Sequence, residues 1–483
     1  MTEPVWLGLD LGTQSVRALA VDRDGTVLGS AVQRLTSRRD GPRHEQDPEQ
    51  WWSATAAACR EALAGLAGHP VGGVAVDATS GTVLLTDAGG RALTPALMYD
   101  DTRADADRVN EAGVAVWAKL GYGRMQPSWA LPKVLWLLRE HADVVPQARL
   151  THQNDFVNRR LVGHEVAADL SNALKTGADL IDENWPSAVL DELGVPSHLL
   201  PGLVRSGSTL GTVCAAASAA TGIPAGTPVI AGMTDGCAAQ LGAGVRRPGD
   251  WNSVLGTTLV LKGVTRDLIR DPSAVVYSHK APNGDWLPGG ASSTGAGIIA
   301  RDYAGRDLAE LDRQALDYEP AGVVAYPLAG SGERFPFVAP QARGFCIGIP
   351  RDDAEGYAAV LQGVAFLERL CVDYLDQLGA PVDGDYVITG GATRNAYWNQ
   401  LRADILHRPV SVPENAESAL GMAVLAAGGE NTAAMVRIRQ VIEPRATATG
   451  RFDEPYLRFV EELDKRGWLA EGLAAHAHER TTR

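Results

Sequence analysis

Asp10 closes the apolar run Val5 to Asp10, and Leu11-Gly12-Thr13-Gln14-Ser15 follows it. A tight turn of glycine and hydroxyl residues turns successive backbone N–H groups outward, where they can cradle phosphate oxygens. A carboxylate beside such a cradle suits hydrated Mg²⁺, a hard cation that takes one or two carboxylates and fills its shell with water and phosphate. An ordinary hairpin with a turn-capping aspartate uses the same residues. Gly256-Thr257-Thr258 repeats the pattern far downstream, also after Leu255. Each turn alone reads as a plain hairpin, but one in each half of the chain points toward phosphate.

Asp235 lies in Ala231-Gly232-Met233-Thr234-Asp235-Gly236, after the apolar stretch Pro228 to Ala231. A carboxylate in a small-residue turn at a strand tip is a common active-site placement in α/β folds. The helix expected from Cys237 would favour its ionised form, which a proton acceptor needs. Capping that helix is the competing role for the same side chain. Gly390-Gly391-Ala392-Thr393-Arg394-Asn395 reads as strand, glycine turn and helix start, and glycines permit close approach of backbone to a ligand. Asp77-Ala78-Thr79-Ser80-Gly81 puts small hydroxyls at another strand end, where a polyol could bind or a polar turn could simply close. Tyr99-Asp100-Asp101-Thr102-Arg103 is a further polar cluster, equally suited to a surface ion-pair loop. The Walker and Rossmann glycine patterns are absent, as are H-E-x-x-H and G-x-S-x-G, which speaks against P-loop, dinucleotide, zinc-protease and α/β-hydrolase chemistry.

These turns need strands and helices to hold them. Val5 to Asp10, Val16 to Val21 and Thr26 to Val32 form an antiparallel meander, the last joined through Asp24-Gly25. Gln50 to Leu66 is helical, and Val71 to Asp77 is the next strand. Trp251 to Leu255 and Leu259 to Val264 predict a second hairpin. Val360, Val364, Leu367, Cys371, Tyr374 and Leu378 recur at helical spacing, so Tyr357 to Leu378 is a helix. Tyr386 to Thr389 is a strand, Asn395 to Leu406 a helix, and Phe452 to Arg483 a polar helical tail. Strands with helices between them imply an α/β fold.

At 483 residues the chain exceeds one core, so two domains are expected, meeting in the Gly-, Pro- and charge-rich stretch Leu241 to Asp250. A net charge of −14 argues against a nucleic-acid surface or an anionic membrane. It also requires any phosphate site to be built locally. Five scattered cysteines without C-x-x-C spacing suit unpaired thiols in a reducing compartment. The start lacks a signal-peptide pattern and no apolar run is long enough to span a bilayer, so a cytoplasmic location is expected.

Taken together and in order, these motifs resemble the FGGY carbohydrate kinases, a branch of the actin-like ATPases. Gly8-Leu9-Asp10-Leu11-Gly12-Thr13 resembles the first phosphate motif, Gly232 to Asp235 the catalytic-aspartate motif, and Val254-Leu255-Gly256-Thr257-Thr258 the second phosphate motif. Thr389-Gly390-Gly391-Ala392 resembles the adenosine motif, Glu45 to Trp52 the Trp-rich helix entry of xylulokinases, and Lys133-Val134-Leu135-Trp136-Leu137 the core of a family signature, although Ala130 stands where Pro, Ser or Thr is usual.

The resemblance implies two ribonuclease-H-like domains around a central cleft: a sugar-binding domain over 1–244, an ATP-binding domain over 245–445, and a helical tail over 446–483. It implies ATP and Mg²⁺ as cofactors, Asp235 as the base, and Asp10 as the metal and phosphate ligand. ATP would meet Gly12, Thr13, Gln14, Ser15, Gly256, Thr257, Thr258, Gly390, Gly391, Ala392 and Asn395. The sugar would meet Asp10, Thr79, Ser80, Tyr99, Asp101 and Asp235. A homodimer is in keeping with the resemblance. Xylulokinases carry Met-His where this chain has Thr79-Ser80. Asp77 to Leu85, Ser171 to Lys175, Tyr277 to Lys280, Gly289 to Ser292, Tyr326 to Leu328 and Gly332 to Pro336 instead look like the xylulokinase-like D-ribulose kinases. D-ribulose is therefore the expected substrate and D-xylulose the alternative. A non-catalytic actin-like ATP-binding module and an ATP hydrolase that needs no sugar are the competing classes.

Overall fold

In the computed structural model, which describes residues 3–482, the opening meander forms strands Val5–Leu11, Ser15–Val21 and Val27–Arg34. They pair antiparallel in chain order, with Leu11 opposite Val16 and Ala18 opposite Ala31. Val71–Ala78 joins the free side of Val5–Leu11 in parallel, and Pro228–Ile230 joins Val71–Ala78 in parallel. Thr209–Thr212 closes that edge antiparallel. A parallel pair needs a long crossover, and helix Pro48–Leu63 lies within the one that leads to Val71–Ala78. Its start is set by Asp47, whose side chain accepts from Glu49 N, and by proline in the first turn.

Six consecutive strands of the second sheet follow the same plan. They run Trp286–Ala291, Leu259–Gly263, Trp251–Leu255, Tyr386–Thr389, Val410–Pro413, Ile438–Ile442. Trp251–Leu255 pairs antiparallel with Leu259–Gly263 and parallel with Tyr386–Thr389. Val410–Pro413 continues in parallel and Ile438–Ile442 closes antiparallel. Each sheet is thus an antiparallel meander, two parallel strands and an antiparallel edge. The two Leu-Gly-Thr sequences fall at the first turn of each meander, so their repetition follows the repeated architecture.

The chain forms two compact units. One holds Met1–Gly244, His279–Trp286 and Asn415–Arg437; the other holds Val245–Ser278, Leu287–Glu414 and Ile438–Arg483. Asn415–Arg437, which the sequence expectation included in 245–445, packs in the first compact unit. Its helix Ser418–Ala427 is apolar nearly all round and is buried from Ala419 to Ala426. Its backbone lies so close to Val5–Leu11 that a Cβ on Gly8 would stand 1.8 Å from the Ala419 carbonyl oxygen. The helical tail after residue 446 packs in the second unit. Helix Asp453–Lys465 buries Tyr456, Phe459, Val460 and Leu463 in the second unit's core.

Two elements lay outside the sequence reading. A five-stranded sheet in the first unit orders Arg38–Asp40, Arg43–Gln46, Ala96–Leu97, Val83–Asp87 and Ala148–His152. A hairpin in the second pairs Val324–Glu333 with Ala339–Ile347. Cys59, Cys237 and Cys371 are buried thiols, Cys214 is partly exposed and Cys346 is exposed. Among the described residues, no helix is long and apolar enough to cross a membrane.

Candidate active site

Strand register brings three carboxylates together in the first unit. Asp10 and Asp77 are partners in the parallel pairing of Val5–Leu11 with Val71–Ala78, so their side chains leave the sheet on one face. Ala78 in turn bridges Thr234, which puts Asp235 beside them. The turn before Asp235 can come this close because Gly232 has no Cβ; one there would meet the Val76 carbonyl oxygen at 1.9 Å. Burial, followed by the charge on Asp235, pushes the Asp10 carboxyl up to about 6. Burial, then the charges on Asp10 and Asp235, holds Asp77 well above the usual carboxylate range. The Asp77 oxygens find no N–H donor among the described residues and face the Asp10 carboxyl. Like charges that close do not both ionise in a buried site, so the pair holds a proton between them.

Asp235 differs from that pair. It opens helix Asp235–Gly242, and its Oδ1 accepts from Gly236 N at 2.6 Å. The positive end of the helix favours its carboxylate form. Asp235 therefore differs from the Asp10–Asp77 pair in position: it opens a helix, whereas the pair lies side by side on adjacent strands. Arg17 stands 4.0 Å from Asp10 and 3.6 Å from Glu417. The hard oxygens of Asp10 and Asp77 suit one Mg²⁺, whose charge would relieve the repulsion between them. Among the described residues no group of three or more His, Cys, Asp or Glu side chains is arranged to cage a metal, so the rest of such an ion's shell falls to water and phosphate.

The turn after Asp10 is closed by Gly12 N donating to Ser15 O at 3.1 Å. Its carbonyls point into the protein: Thr13 O accepts from Gln46 Nε2 at 2.7 Å, and Gln14 O from Leu35 N at 2.8 Å. In the second unit Gly256 N donates to Thr258 O at 3.0 Å, and Ala296 N and Gly297 N take the carbonyls of Gly256 and Thr257. Both turns therefore spend their acceptors inward, which leaves exposed Gln14 and Thr257 at the tips. Val254 pairs with Thr389 in parallel, so the 256–258 turn and Gly390-Gly391 emerge side by side. Gly390 has φ 88°, and a Cβ there would lie 2.5 Å from the Leu255 carbonyl oxygen, so only glycine fits. Ala392 is in the turn that follows, whereas the Asn395 side chain caps helix Ala396–Leu406 through Trp398 N and donates to Asp312.

The predicted sugar contacts sort into two groups. Tyr99 is 41% exposed, and partial burial, then the charge on Asp100 and more weakly that on Asp235, pushes its phenol pKa up. Ser80 Oγ is buried with no partner among the described residues. Thr79 and Asp101 stand behind them. The Thr79 hydroxyl is 2.6 Å from both Gln153 Oε1 and Thr82 Oγ1. Asp101 is fully buried, and its oxygens accept from Arg103 and from His44 N. In this structure both side chains hydrogen-bond to neighbouring protein groups. Sequence reasoning passed over Asp77 as a site residue, although it ends an apolar strand as Asp10 does. It also passed over Gln153, whose Nε2 is buried with no acceptor among the described residues; nothing in its neighbours' pattern marks it.

Lys133 anchors the same region. Fully buried in helix Ala130–Glu140, it donates to Met98 O at 2.7 Å, one residue before Tyr99. Burial, then the charge on Lys175, pulls its ammonium down from 10.5 to about 7. Between those values the unfolded chain binds more protons at this residue than the folded chain. The destabilisation is full below pH 7 and fades as pH rises toward 10.5. Relative to Lys133→Met, the wild type is expected to gain up to about 1.4 kcal/mol per pH unit across that window. Urea unfolding of both proteins between pH 7 and 10 checks this; a pH-independent difference would refute it.

Residues 5–242 match the N-terminal domain of the FGGY family of carbohydrate kinases, and residues 252–429 match its C-terminal domain. The chain belongs to this family. It is an ATP-using sugar kinase of two-domain, actin-like ATPase fold. This FGGY kinase is 32% identical to a xylulose kinase of Streptomyces rubiginosus over 96% of its own length and 95% of the relative's. It is 33% identical to a xylulose kinase of Streptomyces coelicolor over 90% of each chain. The crystal structure of xylulose kinase from Rhodospirillum rubrum superposes with a TM-score of 0.85 at 28% identity, covering 99% of both chains. The FGGY kinase's N-terminal family match holds Asp10, Asp77 and Asp235, and the C-terminal match holds the 256–258 and 390–392 turns.

Proposed function

We propose that this kinase transfers the γ-phosphoryl group of ATP to a terminal hydroxyl of a ketopentose, D-xylulose first, with Asp235 as the base. The observation that carries this reading is the grouping of acids in the first unit: Asp235 opens a helix beside Asp10 and Asp77, which strand register places on one face. Asp235 accepts the hydroxyl proton as the oxygen attacks phosphorus, the task of the catalytic aspartate in other kinases. Asp10 and Asp77 would hold Mg²⁺, which when bound would supply charge neutralisation to the phosphates. Gly12 to Ser15 and Gly256 to Thr258 offer backbone donors to phosphate oxygens, and Gly390, Gly391 and Ala392 lie along the adenosine. Tyr99 and Ser80 orient the sugar.

The relatives named xylulose kinase support D-xylulose better than the D-ribulose expected from the sequence. D-ribulose stays as the second reading for one reason: Thr79-Ser80 stands where xylulokinases carry Met-His. Release of ADP measured with D-xylulose, D-ribulose and glycerol decides between them. The highest kcat/KM is expected for D-xylulose; a higher value for D-ribulose replaces the first reading with the second. ATP binding without turnover on any polyol would leave a non-catalytic module, and turnover that no polyol raises would leave a simple ATP hydrolase.

A further inference from the structure

Thr234 precedes Asp235 and is the N-cap of its helix, with φ −71° and ψ 151°. No side-chain hydrogen bond from Thr234 caps that helix, so the start of the helix must be held from elsewhere. Ser171 does so. Its Oγ accepts from Thr234 N at 3.2 Å and lies 3.2 Å from Thr234 Oγ1. Ser171 in turn meets His279, whose Nδ1 is 3.2 Å from both Ser171 Oγ and Ser171 O. Exposure is 0% at Ser171, 1% at Thr234 and 1% at His279. These contacts therefore lie away from water, where each unmade hydrogen bond carries its full desolvation cost.

We propose that His279 is a positioning residue for Asp235, acting through Ser171 on the Thr234 turn. One proton arrangement satisfies all of these contacts together. His279 donates from Nδ1 to the Ser171 oxygens, the Thr234 amide donates to Ser171 Oγ, and the Ser171 hydroxyl donates to Thr234 Oγ1. The other side of Ser171 is also fixed. It belongs to the short helix Leu170–Ala173, capped by Asp169, which accepts from Asn172 N at 2.8 Å and from Asn154 Nδ2 at 2.7 Å. Ser171 thus carries the position of two anchored elements to the residue before Asp235. An error of about 1 Å in placing a reacting group can cost on the order of 100-fold in rate, so a hydroxyl that sets this turn controls turnover without touching substrate.

The inference rests on Asp235 as the base, and its test separates the two. kcat and KM for D-xylulose and for ATP are measured, with thermal midpoints, for His279→Leu, His279→Asn, Ser171→Ala, Asp235→Asn and the double variants. His279→Leu and Ser171→Ala are expected to lower kcat roughly 10- to 100-fold with little change in either KM. His279→Asn, whose side-chain amide can donate from near the Nδ1 position, is expected to restore most of the loss. Neither His279→Leu nor Ser171→Ala is expected to lower kcat further in the Asp235→Asn background, because residues acting as one unit are not additive. Wild-type kcat in a folded Ser171→Ala or His279→Leu protein overturns the inference, as does full additivity with Asp235→Asn. If His279→Leu does not fold, Ser171→Ala and His279→Asn still decide. Near wild-type turnover in Asp235→Asn itself would overturn the base assignment, and this inference with it.

Discussion

Asp235→Asn is expected to lower kcat by about 10²–10⁴-fold while the fold and the sugar KM stay close to wild type. The amide has the shape of the carboxylate, and its oxygen can still accept from Gly236 N, so the first turn of Asp235–Gly242 keeps its geometry. The change removes the negative charge and the capacity to take the hydroxyl proton. It also removes a charge that raises the pKa of both Asp10 and Asp77. The neighbouring pair should therefore titrate at lower pH in the variant, a shift readable by NMR of the labelled carboxyls. Relief of that repulsion should leave the thermal midpoint unchanged or raise it. Retained turnover would remove Asp235 from the mechanism, and a collapsed fold would contradict the packing of this turn.

Much of this arrangement is legible in the residues, for a physical reason. Asp10, Asp235 and the two Leu-Gly-Thr turns stand where apolar strands stop, and a strand that stops on a carboxylate and a glycine is a local signal. Proximity is not local. That Asp77 faces Asp10 follows from the parallel register between strands more than sixty positions apart, and one residue of slip would send the two side chains to opposite faces. Helix Ser418–Ala427 shows the same limit at the scale of units. Its composition demands burial on nearly every side, yet only contacts far apart in sequence, such as those with Gly8 and Gly73, say in which unit. Thr79 and Asp101 were marked by type alone. Arg103 lies in the same cluster as Asp101, but Gln153 and His44 come from stretches more than fifty residues away, so spacing could not show which groups these side chains would meet.

Loss of Arg402 should strongly destabilise the second unit. Arg402 and Glu368 are both fully buried. Nε and Nη2 of Arg402 donate to the two Glu368 oxygens at 2.8 Å, and Nη2 also reaches Ser253 Oγ at 2.9 Å. Tyr386 completes the set by donating to Glu368 Oε1 at 2.9 Å. These four side chains tie helices Asp353–Gln377 and Ala396–Leu406 to strands Trp251–Leu255 and Tyr386–Thr389, the strands that carry both turns assigned to ATP. Arg402→Met strands a carboxylate in the core, at a cost of about 3–5 kcal/mol. Arg402→Met combined with Glu368→Leu removes both charges and should recover most of that loss, since a well-packed apolar pair is often as stable as a buried ion pair. Urea unfolding measures both. An Arg402→Met cost below about 1 kcal/mol, the value of an exposed pair, would mean that water reaches the site. Where the single variant remains folded, its KM for ATP should rise more than its KM for the sugar, because the strands it loosens end in the 256–258 and 390–392 turns and not at Asp10 or Asp235.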